Sequence, residues 1–292
     1  MWERTNLSQE QLRDLESQGA SKEEIEQKKK ELMETALQEG SLYRAIKAAI
    51  ELNNRERVKQ IAERCISESY LHDAHKGFSF LGDREGMLRV IEAQGREGNT
   101  YGVEWAVGDY LQVRSENGLY ERFHNWANQK NVRRSICFDV STIANMAYHL
   151  AGNYDFGVGI ASGGLFSTFI FENFGLETMV AECHRRGKGA TFEWHSGSKP
   201  ELLMGKNIIV FDKDVVTGRT TRRFLREIQR YQPKSVDLAL VHNPICSAYG
   251  LGTIAENIPP GFRQVYFPSS FNYNFIVKAV KKLEQSLGNG RE

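Results

Sequence analysis

Four short apolar runs constrain this chain most: FGVGIA (156–161), TMVAEC (178–183), NIIVFD (207–212) and VDLALV (236–241). Each is too short for a helix and lacks the polar alternation of a half-exposed strand, so each reads as a strand buried on both faces. Helical patterns lie between them. LFSTFIFENF (165–174) is closed by Gly175, and TRRFLREIQRY (221–231) is followed by Pro233. Alternating strands and helices imply right-handed crossovers and a parallel sheet covered on both sides. Ligands of such sheets gather beyond the carboxyl ends of the strands.

Residues 1–128 have a different character. Ser8–Gln11 and Ser21–Glu24 match the capping-box pattern, and the segment reads as helix almost throughout. AIELNNRERVKQIAE (49–63) and GFSFLGDREGMLRVIEA (77–93) echo each other, with Arg55 and Arg84 of the two turns 29 residues apart. Stacked helical hairpins and an irregular bundle both satisfy that echo. The run Lys28–Lys30 reads as a solvated helix face. The expected organisation is an all-helical domain over 1–128 and an α/β domain over 129–292.

Composition narrows the class of function. The 292 residues are 40% apolar and 26% charged with a formal net charge of +1, which leaves no global field to recruit nucleic acid or an acidic membrane. Cys65, Cys137, Cys183 and Cys246 are far apart, with no CxxC pair, which fits free thiols in a reducing compartment. MWERTNLSQEQL has no signal-peptide core, and no apolar run reaches transmembrane length. A cytoplasmic protein is expected.

Chemistry is expected in the loops that follow the strands. Ser162-Gly163-Gly164 lets backbone N–H groups approach an anion at the start of a helix. HRRGKG follows with His184, Arg185, Arg186 and Lys188. In IIVFDKDVVTGRTT (208–221), Thr217-Gly218-Arg219-Thr220 precedes a helix N-terminus and forms a cradle for a monophosphate. Asp212 and Asp214 are acceptor-only groups whose partners are hydroxyl donors or a divalent cation. A sugar with phosphate at one end and pyrophosphate at the other satisfies all three loops.

With these motifs in this order, the segment from roughly 135 to 275 resembles the type I phosphoribosyltransferases. Their signature is an apolar strand, two acids and Thr-Gly-x-Thr, matched by IIVFDKDVVTGRT; VGIASGG and HRRGKG match their pyrophosphate loop and basic segment. The resemblance implies a phosphoribosyltransferase-like (Rossmann-like) α/β fold. It implies that Thr217, Gly218, Arg219, Thr220 and Thr221 hold the 5-phosphate of phosphoribosyl pyrophosphate (PRPP), and that Asp212 accepts from the ribose hydroxyls. It further implies that Ser162, Gly163 and Gly164 meet the pyrophosphate, often through a strained peptide in that family, and that Arg185, Arg186 or Lys188 neutralise it as it leaves. Magnesium would bridge pyrophosphate and ribose oxygens, with Asp212 and Asp214 as the candidate carboxylates for catalysis and metal. The reaction would displace pyrophosphate by a ring nitrogen of a nucleobase-like acceptor, a step in nucleotide metabolism.

The match departs from the family at the ribose end. Lys213 stands where the second acid falls, Asp214 where an apolar residue is usual, and Val216 where purine-specific members carry an aspartate. Either Asp214 serves as the second acid or part of the ribose grip is lost; Lys213 either faces solvent or neutralises phosphate. Family members cover the base with a hood. QVYFPSSFNYNFIVKAV offers Tyr266, Phe267, Phe271, Tyr273 and Phe275, mostly as packing, and GATFEWHSGSKPELLMGKN (189–207) reads as a flap with glycine hinges.

Two other readings stand beside a transferase. GVGIAS nearly spells a dinucleotide fingerprint, but its glycines fall inside the strand rather than after it. A non-enzymatic sensor of PRPP or a nucleotide, signalling through the helical domain to a protein partner, also fits. The acceptor base and oligomeric state are open, a homo-oligomer included.

Overall fold

The computed structural model describes residues 17, 19–131, 136–186, 189–195, 197–244 and 253–288, with the backbone alone at 184–186 and 189–190. The chain divides into two compact units, Met1–Gln94 and Gly95–Glu292. The change of sequence character near residue 128 therefore falls inside the second unit.

The first unit is helical: α1 (Lys22–Gln38), α2 (Leu42–Glu51), α3 (Arg55–Ser67), α4 (Leu71–Leu81) and the start of α5 (Arg84–Arg96). Ser21 and Glu24 cap α1 reciprocally, as the sequence pattern requires; the Ser8–Gln11 match lies outside the described residues. In α2 the buried set is Leu42, Ala45, Ile46 and Ala49, and in α3 it is Val58, Ile61, Ala62 and Cys65. Both sets recur at i, i+3, i+4 and i+7, one face of a helix, and they zip α1 to α2, α2 to α3 and α3 to α4. The echoed turns share a device: Asn54 accepts from the Arg57 N–H and Asp83 from the Gly86 N–H. Lys28, Lys29 and Lys30 pair with Glu31, Glu51 and Glu26 on the outer face.

The second unit opens with α6 (Thr100–Tyr110), α7 (Leu119–Gln129) and α8 (Val140–Leu150) and then enters the sheet. The order is β1 (Phe156–Ala161), α9 (Leu165–Asn173), β2 (Glu177–Arg186), β3 (Gly189–Trp194), β4 (Asn207–Asp212), α10 (Arg219–Gln229), β5 (Ser235–Leu240), β6 (Val265–Tyr266) and α11 (Ile276–Gly288). Strands lie in the order β3-β2-β1-β4-β5-β6, all parallel except β3. This is an α/β architecture preceded by helices. Val158, Ile160, Val210 and Leu238 point to the face that packs Phe224, Leu225 and Ile228 of α10. The opposite face meets α9, where the Phe171 and Phe211 rings lie 4.4 Å apart. Strands covered on both sides explain the unbroken apolar runs.

The structure corrects two expectations. Residues 189–194 are an edge strand antiparallel to β2, and Pro200–Leu203 is a short 3-10 helix, so the segment is not a flap. Phe192 packs edge-on against Phe224, and Trp194 against Tyr231, which fastens β3 to α10. The first three residues of HRRGKG are accordingly not a strand-end loop, because His184, Arg185 and Arg186 belong to β2 and pair with Thr191, Ala190 and Gly189; residues 187 and 188 lie outside the described residues.

A buried carboxylate secures the far edge of the sheet. Asp237 of β5 is fully buried and accepts from Arg263 Nη2 at 2.6 Å, from the Gln264 N–H at 3.0 Å and from the Tyr154 hydroxyl. These bonds satisfy a charge that would otherwise be costly to bury, and they lead the chain into β6. Tyr154→Phe should lower unfolding stability by about 1.5–3 kcal/mol, the worth of a hydrogen bond to a charged group. Urea denaturation reads this, and an unchanged midpoint would show that the Tyr154 bond carries none of that load.

Candidate functional site

The strand order reverses direction between β1 and β4: from β1 the chain builds outward through β2 and β3, then returns to place β4 on the other side. Beyond the carboxyl ends of two such strands the flanking helices diverge and leave a crevice. Register pairs Phe156 with Ile208 and Gly159 with Phe211, so Ala161 and Asp212 end on the same edge.

The two turns that leave this edge lie against one another. A Cβ on Gly163 would stand 2.5 Å from Asp212 Oδ1 and 3.0 Å from the Lys213 N. A Cβ on Gly164 would overlap the Phe211 carbonyl oxygen at 1.9 Å. Only glycine permits that approach, which is why the β1 turn carries a pair of them. Ser162 and Gly163 are half-buried at the surface of the crevice, Gly164 is buried below them, and the Ala161–Ser162 peptide is cis.

The turn between β4 and α10 is braced from beneath. The Ile254 N–H donates to the Val215 carbonyl at 2.9 Å, and Asn257 Nδ2 donates to the Val216 carbonyl at 2.6 Å. Gly218 takes φ +67°, where a Cβ would lie 2.0 Å from the Asn257 carbonyl oxygen. It is the N-cap of α10, and no side chain caps the helix there. The first-turn N–H groups, at Arg219, Thr220 and Thr221, have no carbonyl within the helix to bond and point with the positive end of its dipole. Thr217 is exposed and Thr220 half-buried, but Thr221 is 2% exposed, so it offers the crevice an N–H rather than a hydroxyl. Cys183 supports this turn from β2, its Sγ 3.6 Å from the Thr220 carbonyl, and burial pushes its thiol up to about 11.

At the acid end the two carboxylates differ. Asp212 Oδ1 accepts from the Lys213 N–H at 2.8 Å. Asp214 Oδ2 lies 3.5 Å from Lys213 Nζ and 3.6 Å from His242 Nδ1. The second distance exceeds hydrogen-bond length. His242, with Lys213, holds the Asp214 carboxyl below the usual carboxylate range. Lys213 therefore answers an acid within its own loop rather than standing free in solvent. The His242 N–H donates to the Lys213 carbonyl at 3.0 Å, which ties the β5 exit to the β4 exit.

Of the basic segment, the backbone of Arg185 and Arg186 continues β2, and Lys188 lies outside the described residues, as does Cys246. His242, Asn257 and Thr253, whose Oγ1 accepts from the Val215 N–H at 3.3 Å, were missed in the sequence. VHN, at the end of VDLALV and its exit, meets the same strand-end rule as the other loops and could have identified His242. The C-terminal aromatics are committed elsewhere. The Tyr273 hydroxyl is 3.0 Å from Thr142 Oγ1, Phe271 stacks on His149, Phe275 stacks on Tyr148, and Tyr266 lies in β6.

Among the described residues no group of three or more His, Cys, Asp or Glu side chains forms a metal cage, and no helix is long and apolar enough to cross a membrane.

No protein-family model matches the chain, and no curated protein matches it. Solved structures similar to part of it include a purine phosphoribosyltransferase from Pyrococcus horikoshii, at 18% identity and TM-score 0.32 over 46% of this chain and 91% of that one. A Neisseria gonorrhoeae protein solved with bound ppGpp shows 19% identity and TM-score 0.32 over 54% and 98%. A hypoxanthine-guanine phosphoribosyltransferase from Bacillus anthracis shows 13% identity and TM-score 0.31 over 43% and 74%. At such scores these likenesses carry no weight of their own; the fold rests on the strand order and register given above.

The convergence of the two turns makes a direct prediction. Gly164→Ala should destabilise the protein by about 3 kcal/mol or more, because the new methyl meets backbone that cannot move aside. Gly163→Ala should cost less, about 1–2 kcal/mol, since its closest contact is the Asp212 carboxylate, which can give, with the Lys213 backbone N at 3.0 Å. Thermal unfolding of both variants checks this, and equal losses would mean that the turns do not touch as described.

Proposed function

We propose that the carboxyl-edge crevice binds PRPP with magnesium and transfers its phosphoribosyl group to a ring nitrogen of a nucleobase-like acceptor. The observation that supports this most is the contact of the Gly163 turn with Asp212 and Lys213, which brings the β1 turn against the start of the loop that carries Thr217–Thr221. One small molecule carrying phosphate at each end spans them. Thr217, Gly218, Arg219, Thr220 and Thr221 hold the 5-phosphate through first-turn N–H groups, the Thr217 and Thr220 hydroxyls and the helix dipole. Ser162 and Gly163 receive the pyrophosphate on backbone N–H groups, Gly164, whose N–H donates to the Ile160 carbonyl at 2.7 Å, shapes the turn beneath it, and Arg185, Arg186 or Lys188 neutralise it.

The two carboxylates divide the remaining work. Asp212 faces the pyrophosphate turn and accepts from the ribose hydroxyls. Asp214 is engaged by Lys213 and His242, and acts by fixing the lysine. Magnesium suits this donor set: it is commonly held by one or two carboxylates together with phosphate oxygens rather than by a protein cage, and Asp212 is the residue that would hold it. When bound, it supplies charge neutralisation for the pyrophosphate. In the transfer a nitrogen lone pair forms the bond to the anomeric carbon. The bond from that carbon to pyrophosphate breaks with its electron pair leaving on oxygen, and the ring N–H proton passes to solvent. Backbone N–H groups already aimed at the departing oxygens stabilise that charge without reorganising.

A second reading has a specific observation behind it. With Lys213 in place of a second acid and paired to Asp214, the ribose end carries less negative charge than two carboxylates would give. Such a site can bind PRPP or a nucleotide and report its presence, with the helical unit meeting a protein partner. Either reading implies nucleotide metabolism in the cytoplasm, and a homo-oligomer is compatible with both.

Isothermal titration of PRPP with magnesium should show saturable binding that Asp212→Asn and Thr217→Ala each weaken by about tenfold or more, the loss of a charge-assisted contact. Unchanged affinity in both variants would refute the site. Pyrophosphate release with a panel of nucleobases then separates transferase from sensor: turnover with any base supports the transferase, and binding without turnover supports the sensor.

A further inference from the structure

A concavity of about 600 Å3 opens in the second unit beside the start of α8. One wall is a single face of α6, where Tyr101, Glu104, Trp105 and Gly108 recur at helical spacing; Tyr120 and Asp139 stand among the other lining residues. The volume suits a small planar ligand. Tyr101 is 79% exposed, an unusual setting for a large ring. A Cβ added at Gly108 would meet only Val113 Cγ2, at 3.7 Å, so the glycine leaves space beneath the aromatics.

The lining sets the chemistry of the occupant. Glu104, Asp109 and Asp139 outnumber Arg114. Asp139 has no acceptor capacity to spare, because it caps α8 by accepting from the Ser141 and Thr142 N–H groups and hydroxyls. Glu104 makes no hydrogen bond or ion pair among the described residues. Burial and the nearby Asp139 both raise its carboxyl, so a hydrogen-bond donor would relieve it. The location matters as well. Tyr120 OH donates to the Phe138 carbonyl at 3.3 Å, and the Phe138 ring meets the His242 ring edge-on at 6.1 Å. His242 is the neighbour of Asp214 in the crevice.

We infer that this concavity binds a planar nitrogen heterocycle bearing an exocyclic amino group, stacked on Trp105 with its amino group donating to Glu104. The concavity shares no lining residue with the crevice, which it meets through Phe138 and His242, so the heterocycle occupies a site of its own beside the crevice. Aromatic faces accept any base, so the ring supplies affinity while the carboxylate supplies selectivity. An oxo group in place of the amino group would set two acceptors against each other.

The test is calorimetric titration of the full chain, without PRPP, using adenine and cytosine against their oxo counterparts hypoxanthine and uracil. The amino-bearing pair should bind about tenfold more tightly, a preference that Glu104→Gln reduces to within about threefold. Trp105→Ala should weaken all four by about tenfold, the usual loss on removing a stacking ring. Glu104 lies on the surface, so its variant keeps the inference open to test even if Trp105→Ala unfolds. PRPP binding without binding of any of the four heterocycles, or an amino preference retained in Glu104→Gln, would overturn the inference and leave the PRPP site standing. Adenine or cytosine binding that depends on Glu104 would support it, even if PRPP fails to bind and the transfer is lost.

Discussion

Parallel pairing of β1 with β4 is the constraint on which the site depends. These strands are neighbours in space but separated in sequence by a helix and two strands, so their carboxyl ends meet where connections diverge. The β1 turn can lie against the β4 exit only because Gly163 and Gly164 remove the side chains that would hold them apart. Once in contact, the turns present backbone N–H groups from two directions. Bracing by Asn257, Ile254 and His242 then holds the β4 turn in place without a ligand, which lowers the ordering cost of binding.

Electrostatics at the acid end follow from the same packing. Lys213 and Asp214 are consecutive residues in a tight turn, and the exit of β5 brings His242 against them. The result is one carboxylate facing the Gly163 turn and another lying between Lys213 and His242. In the proposed site a phosphorylated ligand would meet less negative charge than a pair of unpaired acids would give, which lessens repulsion in the ground state. It also removes one acceptor that a sugar could have used. In the proposed site, the balance between these effects would decide whether a ligand is turned over or retained.

The sequence revealed most where burial was complete. β1, β2, β4 and β5 were recognisable as unbroken apolar runs, and their turns as glycine, threonine and acid clusters. β3 was not, because it is an edge strand whose residues 191–194 alternate between exposure and packing, and the glycines at 189 and 197 that flank the run resemble hinges. Hairpin pairing then drew His184, Arg185 and Arg186 from an expected loop into β2. The division between the compact units was equally obscure, since α6 and α7 look like the helices before them and differ only in what they pack against. His242 carried a positional signal but no motif. The α6 concavity carried none, because Glu104 and Trp105 meet Tyr120 and Asp139 only after folding.

Competition among the two halves of PRPP and the whole molecule would settle whether one crevice grips both ends. Ribose 5-phosphate and magnesium pyrophosphate should each bind weakly. PRPP should bind well over a hundredfold more tightly than either, as linked ligands do, and should displace both. If PRPP binds no more tightly than its better half, or leaves the other half bound, the two turns do not serve one ligand and the interpretation fails.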